Sequence, residues 1–484
     1  MLIVSKDWDE FYCIISRLAK DALSRISAYV NTHKYISNYL QYPIELRNEG
    51  LIKWRTVSEL SPFQGELSNE KNYKTVNFSS LISLKENNEE ICVSDLEGYE
   101  DCLQFLATNT NFLSLIWYPK ATNRMELALS LLLGDIINRY ISLRNNFEYE
   151  ERHFKEIYKE VTNVYFQEKL EFDICVPILF IEFESENITI SDNVFINKMS
   201  EEFIKSKHFV GNYDAYLEKL VLDCATHMLV IKGYYLEKSE FDSEKILENQ
   251  KVYPTDVISS VFASIRSITG LPTGYAQIIS YPKNNWIPKY SKGDLLGLAG
   301  ARAREYPDSF LSHYWLEPRK FIDKKDEKKI ADIAAVILSN RNQNALKLAC
   351  DRLNRSTLRN DEEDSILDAI IGLELLLSDN DKGELTYKIS SRMATISTLC
   401  SDCHYTPIEV QRSVSQIYRY RSDIVHSRKP REATKQIRVK QDEEIAPVAL
   451  AIKYLRMAIG VLAFSPEFLT SKKIDELMMK KLQQ

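Results

Sequence analysis

Arg421 and His426 stand five residues apart in the segment Val414-Ser-Gln-Ile-Tyr-Arg-Tyr-Arg-Ser-Asp-Ile-Val-His426. A guanidinium can hold a phosphate through paired hydrogen bonds and stabilise charge that develops on it. An imidazole titrates near neutrality, so it can take a proton from a ribose 2′-hydroxyl or give one to a leaving oxygen. Together they suit phosphoryl transfer on RNA, because the 2′-hydroxyl supplies the nucleophile and no metal is required. Val414, Ile417, Ile424 and Val425 recur at helical spacing, and Arg421 lies on their stripe, four residues from Ile417 and from Val425. A guanidinium in such a place is costly unless an anion or acceptor meets it. Ser422 precedes His426 by four residues, Asp423 by three, and Tyr418 precedes Ser422 by four, so all three are expected to support the pair from one side of a helix end.

The charge around this segment fits a phosphate ligand. Between Gln411 and Lys440 nine basic residues (412, 419, 421, 428, 429, 431, 435, 438 and 440) face two acidic ones, in a chain of net charge −7. A phosphate backbone would be drawn there, with Arg419, Arg428, Lys429 and Arg431 as its expected contacts. Two plainer readings stand beside this one. With seven histidines in the chain, an Arg five residues ahead of some His arises by chance in about one such sequence in three. A basic helix end is also an ordinary complement to the helix dipole.

The elements that must position this pair follow from the rest of the sequence. A length of 484 residues implies two to four domains. The hydrophobic fraction of 44%, the charged fraction of 27% and the abundance of Tyr and Phe describe a packed globular chain, and only 14 Gly and 14 Pro argue for long regular elements. The acidic balance does not favour nucleic-acid binding by the whole surface and leaves room for a local patch. The longest apolar runs noted, Leu127–Leu133 and Ile174–Ile181, fall well short of the roughly 20 residues of a spanning helix. The first residues do not read as a signal peptide. The expectation is a cytoplasmic protein without a membrane partner, its eight cysteines mostly buried thiols.

The predicted fold class is α+β and mostly helical. Residues 1–165 read as a mostly helical region, with amphipathic stretches at Phe11–Val30, Met125–Leu143 and Phe154–Phe166 and short strands somewhere between 45 and 115. Residues 166–320 read as a mixed α/β domain, a candidate sensor or regulator. It holds a β-rich run at Phe172–Phe183, a hairpin at Asn187–Asn197 turning on Asp-Asn, another β-like run at His227–Tyr235, and a loop-rich stretch at Gly270–Pro288. Residues 321–484 read as a helical bundle, with helices near 327–355, 363–377, 384–400, 408–426 and 442–464. The acidic run Asp361–Asp364 sits where a helix N-terminus favours negative charge.

Other motifs carry less. Cys400-Ser-Asp-Cys403-His404 spells a haem-attachment pattern, but an exporting context and an axial ligand are missing, and a zinc site would need a second ligand pair; a helix end and turn is the expected reading. Asp379–Glu384 has its Gly one place early for a calcium loop. Gly293, Gly297 and Gly300 make no phosphate loop. His33, His153, His208, His227 and His313 stand alone in the sequence and read as structural or solvated. No metal or cofactor is expected.

Arg421-Ser-Asp-Ile-Val-His426 resembles the R-x4-H motif of the HEPN superfamily, and the wider context is similar to its Apea-like branch. Arg352-Leu-Asn, then Arg359, Glu362, Asp364, Ile366, Leu367-Asp368 and Leu373-Glu374, resemble that branch's first helices; Glu384 to Arg392-Met-Ala resembles the next, and Ile417-Tyr418 precedes the motif as in the family. The resemblance covers about residues 325–465, and a weaker one extends through 175–325. It implies a helical bundle that dimerises through its motif helices, with two copies of Arg421 and His426 forming one composite cleft. It implies a metal-independent endoribonuclease that leaves a 2′,3′-cyclic phosphate, acting on RNA such as tRNA. It also implies a toxin or abortive-infection effector in anti-phage defence that answers to a phage-derived trigger or inhibitor. Ser427 stands where the family often has Gly, and Ser422 where many members have Asn or Asp. Some members bind RNA or a nucleotide without cleaving it, so the alternative is a non-catalytic sensor or scaffold; a third reading makes the motif helix a pure dimer seam.

Overall fold

The computed structural model describes residues 6–32, 35–37, 40–46, 52–57, 60–62, 76–83, 91–108, 124–162, 167, 169–211, 216–237, 243–283, 286–287, 295–312, 319–339, 344–379, 383–425 and 436–481. The chain is α+β, and helix predominates.

Its N-terminal core is built by α1 (Lys6–Thr32), α2 (Tyr99–Thr108), α3 (Arg124–Arg144) and α4 (Glu151–Thr162). Phe11, Ile15, Leu18, Ala22 and Ile26 recur every three or four residues along α1 and are buried against Leu133, Ile137 and Tyr140 of α3 and Phe154 and Tyr158 of α4. Among the described residues between α1 and α2 lie six short strands. Two pairs are antiparallel, β1 (Tyr35–Ser37) with β4 (Leu60–Pro62) and β2 (Leu40–Leu46) with β3 (Ile52–Val57); β5 (Ile82–Ser83) and β6 (Ile91–Cys92) are parallel.

A six-stranded sheet follows, formed by β7 (Lys169–Leu179), β9 (Asn187–Ser191), β10 (Val194–Lys198), β11 (Ala225–Glu237), β12 (Tyr275–Pro282) and β13 (Ala299–Glu305). Their order is β13-β12-β7-β11-β10-β9, and every neighbouring pair is antiparallel. β8 (Ile181–Phe183) pairs in parallel with β14 (Lys320–Ile322). Both faces of the sheet are covered. α5 (Glu201–Ser206) and α6 (Tyr216–Asp223) bury Phe203, Ile204 and Val221 on one, with Cys175, Val230 and Ile279. On the other, α8 (Thr255–Thr269) buries Ile258, Val261 and Ile265 against Ile174, Val176 and Ile278. The one-turn α7 (Ser243–Glu248) precedes α8.

The predicted loop at Gly270–Pro288 is corrected here: Tyr275–Pro282 is β12, almost wholly buried between β7 and β13. Gly and Pro at its flanks read as loop punctuation, yet Gly274 serves close strand approach. A Cβ at Gly274 would stand 2.0 Å from the Glu305 carbonyl oxygen. Gly270 takes φ +68° and closes α8 in the left-handed conformation.

The C-terminal helices are α9 (Lys324–Ser339), α10 (Asn344–Leu358), α11 (Glu362–Leu377), α12 (Leu385–Ser397), α13 (Pro407–Val425), α14 (Pro447–Phe464) and α15 (Ser471–Lys481). The single helix expected over 327–355 is described in two parts, α9 ending at Ser339 and α10 beginning at Asn344, with 340–343 outside the described residues. The helix expected from 442 begins at Pro447, because β15 (Ile437–Lys440) and β16 (Glu443–Ile445) form a hairpin ahead of it. Asp361 caps α11, its carboxylate accepting from the Asp364 amide at 2.9 Å. Among the described residues α14 alone is long and apolar enough to cross a membrane, a run the sequence reading passed over. It serves instead as a central strut, with Leu450, Tyr454, Leu455, Ala458 and Ile459 buried among α11, α12 and α13.

Sheet and bundle share elements. Ile330 and Ala334 of α9 face the sheet core while Ile333 and Ile337 face the bundle core. The α8 carbonyls of Ser267 and Ile268 accept from Arg456 of α14 at 3.2 and 2.9 Å. Farther along α8, Ser259 Oγ donates to Asp351 of α10 at 2.7 Å.

Candidate functional site

α13 starts on a capping box. Thr406 and Glu409 exchange bonds, the Thr406 amide to the Glu409 carboxylate at 2.7 Å and the Glu409 amide to Thr406 Oγ1 at 3.4 Å, with Pro407 at the first helical position. Its inward face, Val410, Ser413, Val414, Ile417, Tyr418 and Tyr420, is buried against the bundle. Ser413 Oγ lies 2.6 Å from the Tyr454 hydroxyl and fixes the helix against α14. The burial fades in the last turn: Ile424 is half-buried and Val425 is 50% exposed. The expected apolar stripe is thus real at Val414 and Ile417, while Val425 lies outside it.

Arg421 sits where this face meets solvent. It is half-buried, and its Nε is shielded from water without a hydrogen-bond partner in the structure. Next to it Tyr418 points inward, its hydroxyl donating to Glu374 Oε1 of α11 at 3.1 Å. Burial pushes the Tyr418 phenol far above its ordinary value, the Glu374 carboxylate adds to the rise and the Arg421 guanidinium opposes it. Tyr418 therefore stays protonated at any physiological pH and acts as a fixed donor. Glu374 was not singled out from sequence as a site residue. Its signal was a lone carboxylate inside the apolar run Ala369–Leu377, where burial demands a partner.

The row expected along the helix does not assemble as one set. Tyr418 is spent on Glu374, Ser422 is exposed, and Asp423 is half-buried; neither Ser422 nor Asp423 makes a hydrogen bond or ion pair among the described residues. Arg419 is exposed on the outer face. His426, Arg428, Lys429 and Arg431 lie outside the described residues.

The basic segment is partly neutralised by its own hairpin. Arg438 of β15 pairs with Glu444 of β16 at 2.7 Å, and Lys440 lies over the Tyr405 ring at 5.2 Å. Glu443 accepts from the Tyr405 hydroxyl at 2.6 Å. Of this segment's described basic residues, those without such a partner are therefore on α13, at Arg412, Arg419 and Arg421.

The blocks that carried the family resemblance are mostly structural here. Arg352 of α10 and Arg359 just after it hold Asp368 of α11 at 2.5 and 3.3 Å. Arg392 is 4% exposed and donates to Asp475, Asp379 and the Leu377 carbonyl at 2.7–2.8 Å. Cys400–His404 lies in the turn that follows α12, and no group of three or more metal-ligating side chains occurs among the described residues. Three histidines solitary in sequence gain partners: His208 Nε2 meets Asp223 at 2.6 Å, His153 meets Glu150 at 2.9 Å, and His227 Nδ1 lies 2.9 Å from Thr226 Oγ1. His33 and His313 fall outside the described residues.

No family model, no curated protein and no solved structure matches the chain.

Proposed function

We propose that the chain is a metal-independent endoribonuclease of the HEPN type, its C-terminal helices forming the HEPN bundle. The observation that carries the reading is Arg421: a half-buried guanidinium with an unpartnered Nε, on the last turn of a helix that His426 follows in sequence. A buried donor left without an acceptor costs roughly 1–3 kcal/mol, a cost that an incoming phosphate oxygen removes. Tyr418, held by Glu374, lies close enough to feel the charge of the guanidinium.

In the proposed reaction Arg421 binds the scissile phosphate. His426 takes the 2′-hydroxyl proton, the 2′-oxygen attacks phosphorus, and the bond to the 5′-oxygen breaks as that oxygen gains a proton. The products are a 2′,3′-cyclic phosphate and a 5′-hydroxyl. One chain supplies one Arg and one His, so the site is completed by a second copy in a homodimer. Arg419, with Arg428, Lys429 and Arg431, would guide the RNA backbone. The N-terminal and central regions would restrain or trigger the nuclease in the cytoplasm, in an abortive-infection response to phage.

The test incubates wild type, Arg421→Ala and His426→Ala with total RNA and tRNA in the presence of a chelator and maps the ends. Cyclic-phosphate ends from wild type alone support the reading. Cleavage by the variants at the wild-type rate removes it, and tight RNA binding without cleavage favours a non-catalytic sensor.

A further inference from the structure

A cleft of about 470 Å³ opens between the sheet and the bundle, far larger than a packing defect. One wall is the first turns of α8 with the ends of β12 and β13; the other is a face of α10. Its base is tied shut by polar bonds. Asn354 of α10 donates to Ser259 at 2.8 Å, and its side-chain oxygen accepts from Arg266, which also donates to the Thr273 carbonyl. Arg266 is 2% exposed and its Nε has no hydrogen-bond partner in the structure.

Above this base several lining groups are uncommitted. The side chains of Asp256, Arg355 and Glu305, all exposed residues, and the Tyr275 hydroxyl make no hydrogen bond or ion pair among the described residues. Their charges are segregated. Both uncommitted carboxylates, Asp256 and Glu305, stand on the sheet side. On the bundle side stand Arg355 and, one turn on, Arg359, while the Asp351 carboxylate there is occupied by Ser259. Glu305 is exposed, but the packing around its carboxyl raises it above its ordinary value, against the pull of Arg266 and Arg355. A bare anion would meet two carboxylates, a bare cation would meet Arg355, and an apolar molecule would strip water from all of them.

We propose that this cleft binds a small zwitterion of amino-acid or dipeptide size, with its carboxylate on Arg355 and its ammonium between Glu305 and Asp256. Occupancy would bridge the two cores that form its walls. Binding does not depend on the ribonuclease reading; only an effect of the ligand on RNA cleavage would rest on it.

The experiment is a thermal-shift and calorimetric screen of the full chain against the proteinogenic amino acids and a set of Gly-Xaa dipeptides at millimolar concentration. N-acetylated and C-amidated forms, inorganic phosphate and mononucleotides serve as competitors of different chemistry. The expected result is a saturable rise in melting temperature with at least one zwitterion, lost when either of its charges is blocked. Arg355→Gln and Glu305→Gln should each weaken binding at least tenfold while the unliganded melting temperature stays within a degree or two. The proposal is overturned if no zwitterion shifts the melting temperature, if blocked forms bind as well, if the two variants bind like wild type, or if phosphate or mononucleotides alone bind.

Discussion

Two arginines in the same helical bundle have opposite surroundings. Arg392 is enclosed by two carboxylates and a carbonyl, and these neighbours drive its guanidinium pKa higher still, first through Asp475. Arg421, one helix away, is half-buried with an unpartnered Nε and a phenol and carboxylate behind it. The first arginine is a fastener, because its hydrogen-bond capacity is used inside the fold. The second keeps capacity in reserve, which the fold alone does not require.

The largest expected effect breaks or confirms this contrast on the side of chemistry. His426→Ala should lower RNA cleavage by about 10²–10⁴-fold, measured as initial rate of cyclic-phosphate formation, with the denaturation midpoint unchanged. Arg392→Ala should instead cost roughly 3 kcal/mol of unfolding free energy by urea titration, because Asp379 and Asp475 lose the cation between them. Arg421→Lys should cut cleavage by about 10²-fold yet shift stability by less than about 1 kcal/mol, since Lys cannot present a planar fork. Equal loss of stability at Arg392 and Arg421 would erase the distinction.

A third cation sharpens the rule. Lys207 is fully buried beside Asp223, donates to the Leu222 carbonyl at 2.5 Å, and is held down to about 8 by burial. Its unfolded value is about 10.4, so between about pH 8 and 10.4 the unfolded chain binds the extra proton and stability from this group rises with pH. Below about 8 the full cost of the buried charge is present. The slope should approach roughly 1.4 kcal/mol per pH unit between about pH 8 and 9.5, before phenols ionise, and Lys207→Met should flatten it. Smallest of all, Tyr418→Phe should cost about 1 kcal/mol and reduce cleavage only a few-fold, because it releases Glu374 without removing Arg421.

Much of the helical framework was legible because amphipathic repeats are local. The periodicities over Phe11–Val30 and Met125–Leu143 lie inside α1 and α3, and the Asp-Asn turn of β9 and β10 follows the alternation on either side of it. What escaped was set by partners distant in sequence. β12 is a strand because β7 and β13 enclose it, although Gly and Pro flank it. At the candidate site, the position of Arg421 on the helix was readable from spacing, whereas Glu374 lies 44 residues from Tyr418 and no local pattern joins them. Charge counting over 411–440 also missed Glu443 and Glu444, which the hairpin folds back onto the basic segment.

The sharing of α8 and α9 between two cores bears on how such a chain can be cut and recombined. An exchange at residue 320 would deliver a bundle whose Ile330 and Ala334 face water, and would leave behind an α8 whose Ser267 and Ile268 carbonyls have lost Arg456. The unit to be moved is therefore the sheet together with the bundle, and an exchange that keeps the packing intact leaves the two joined.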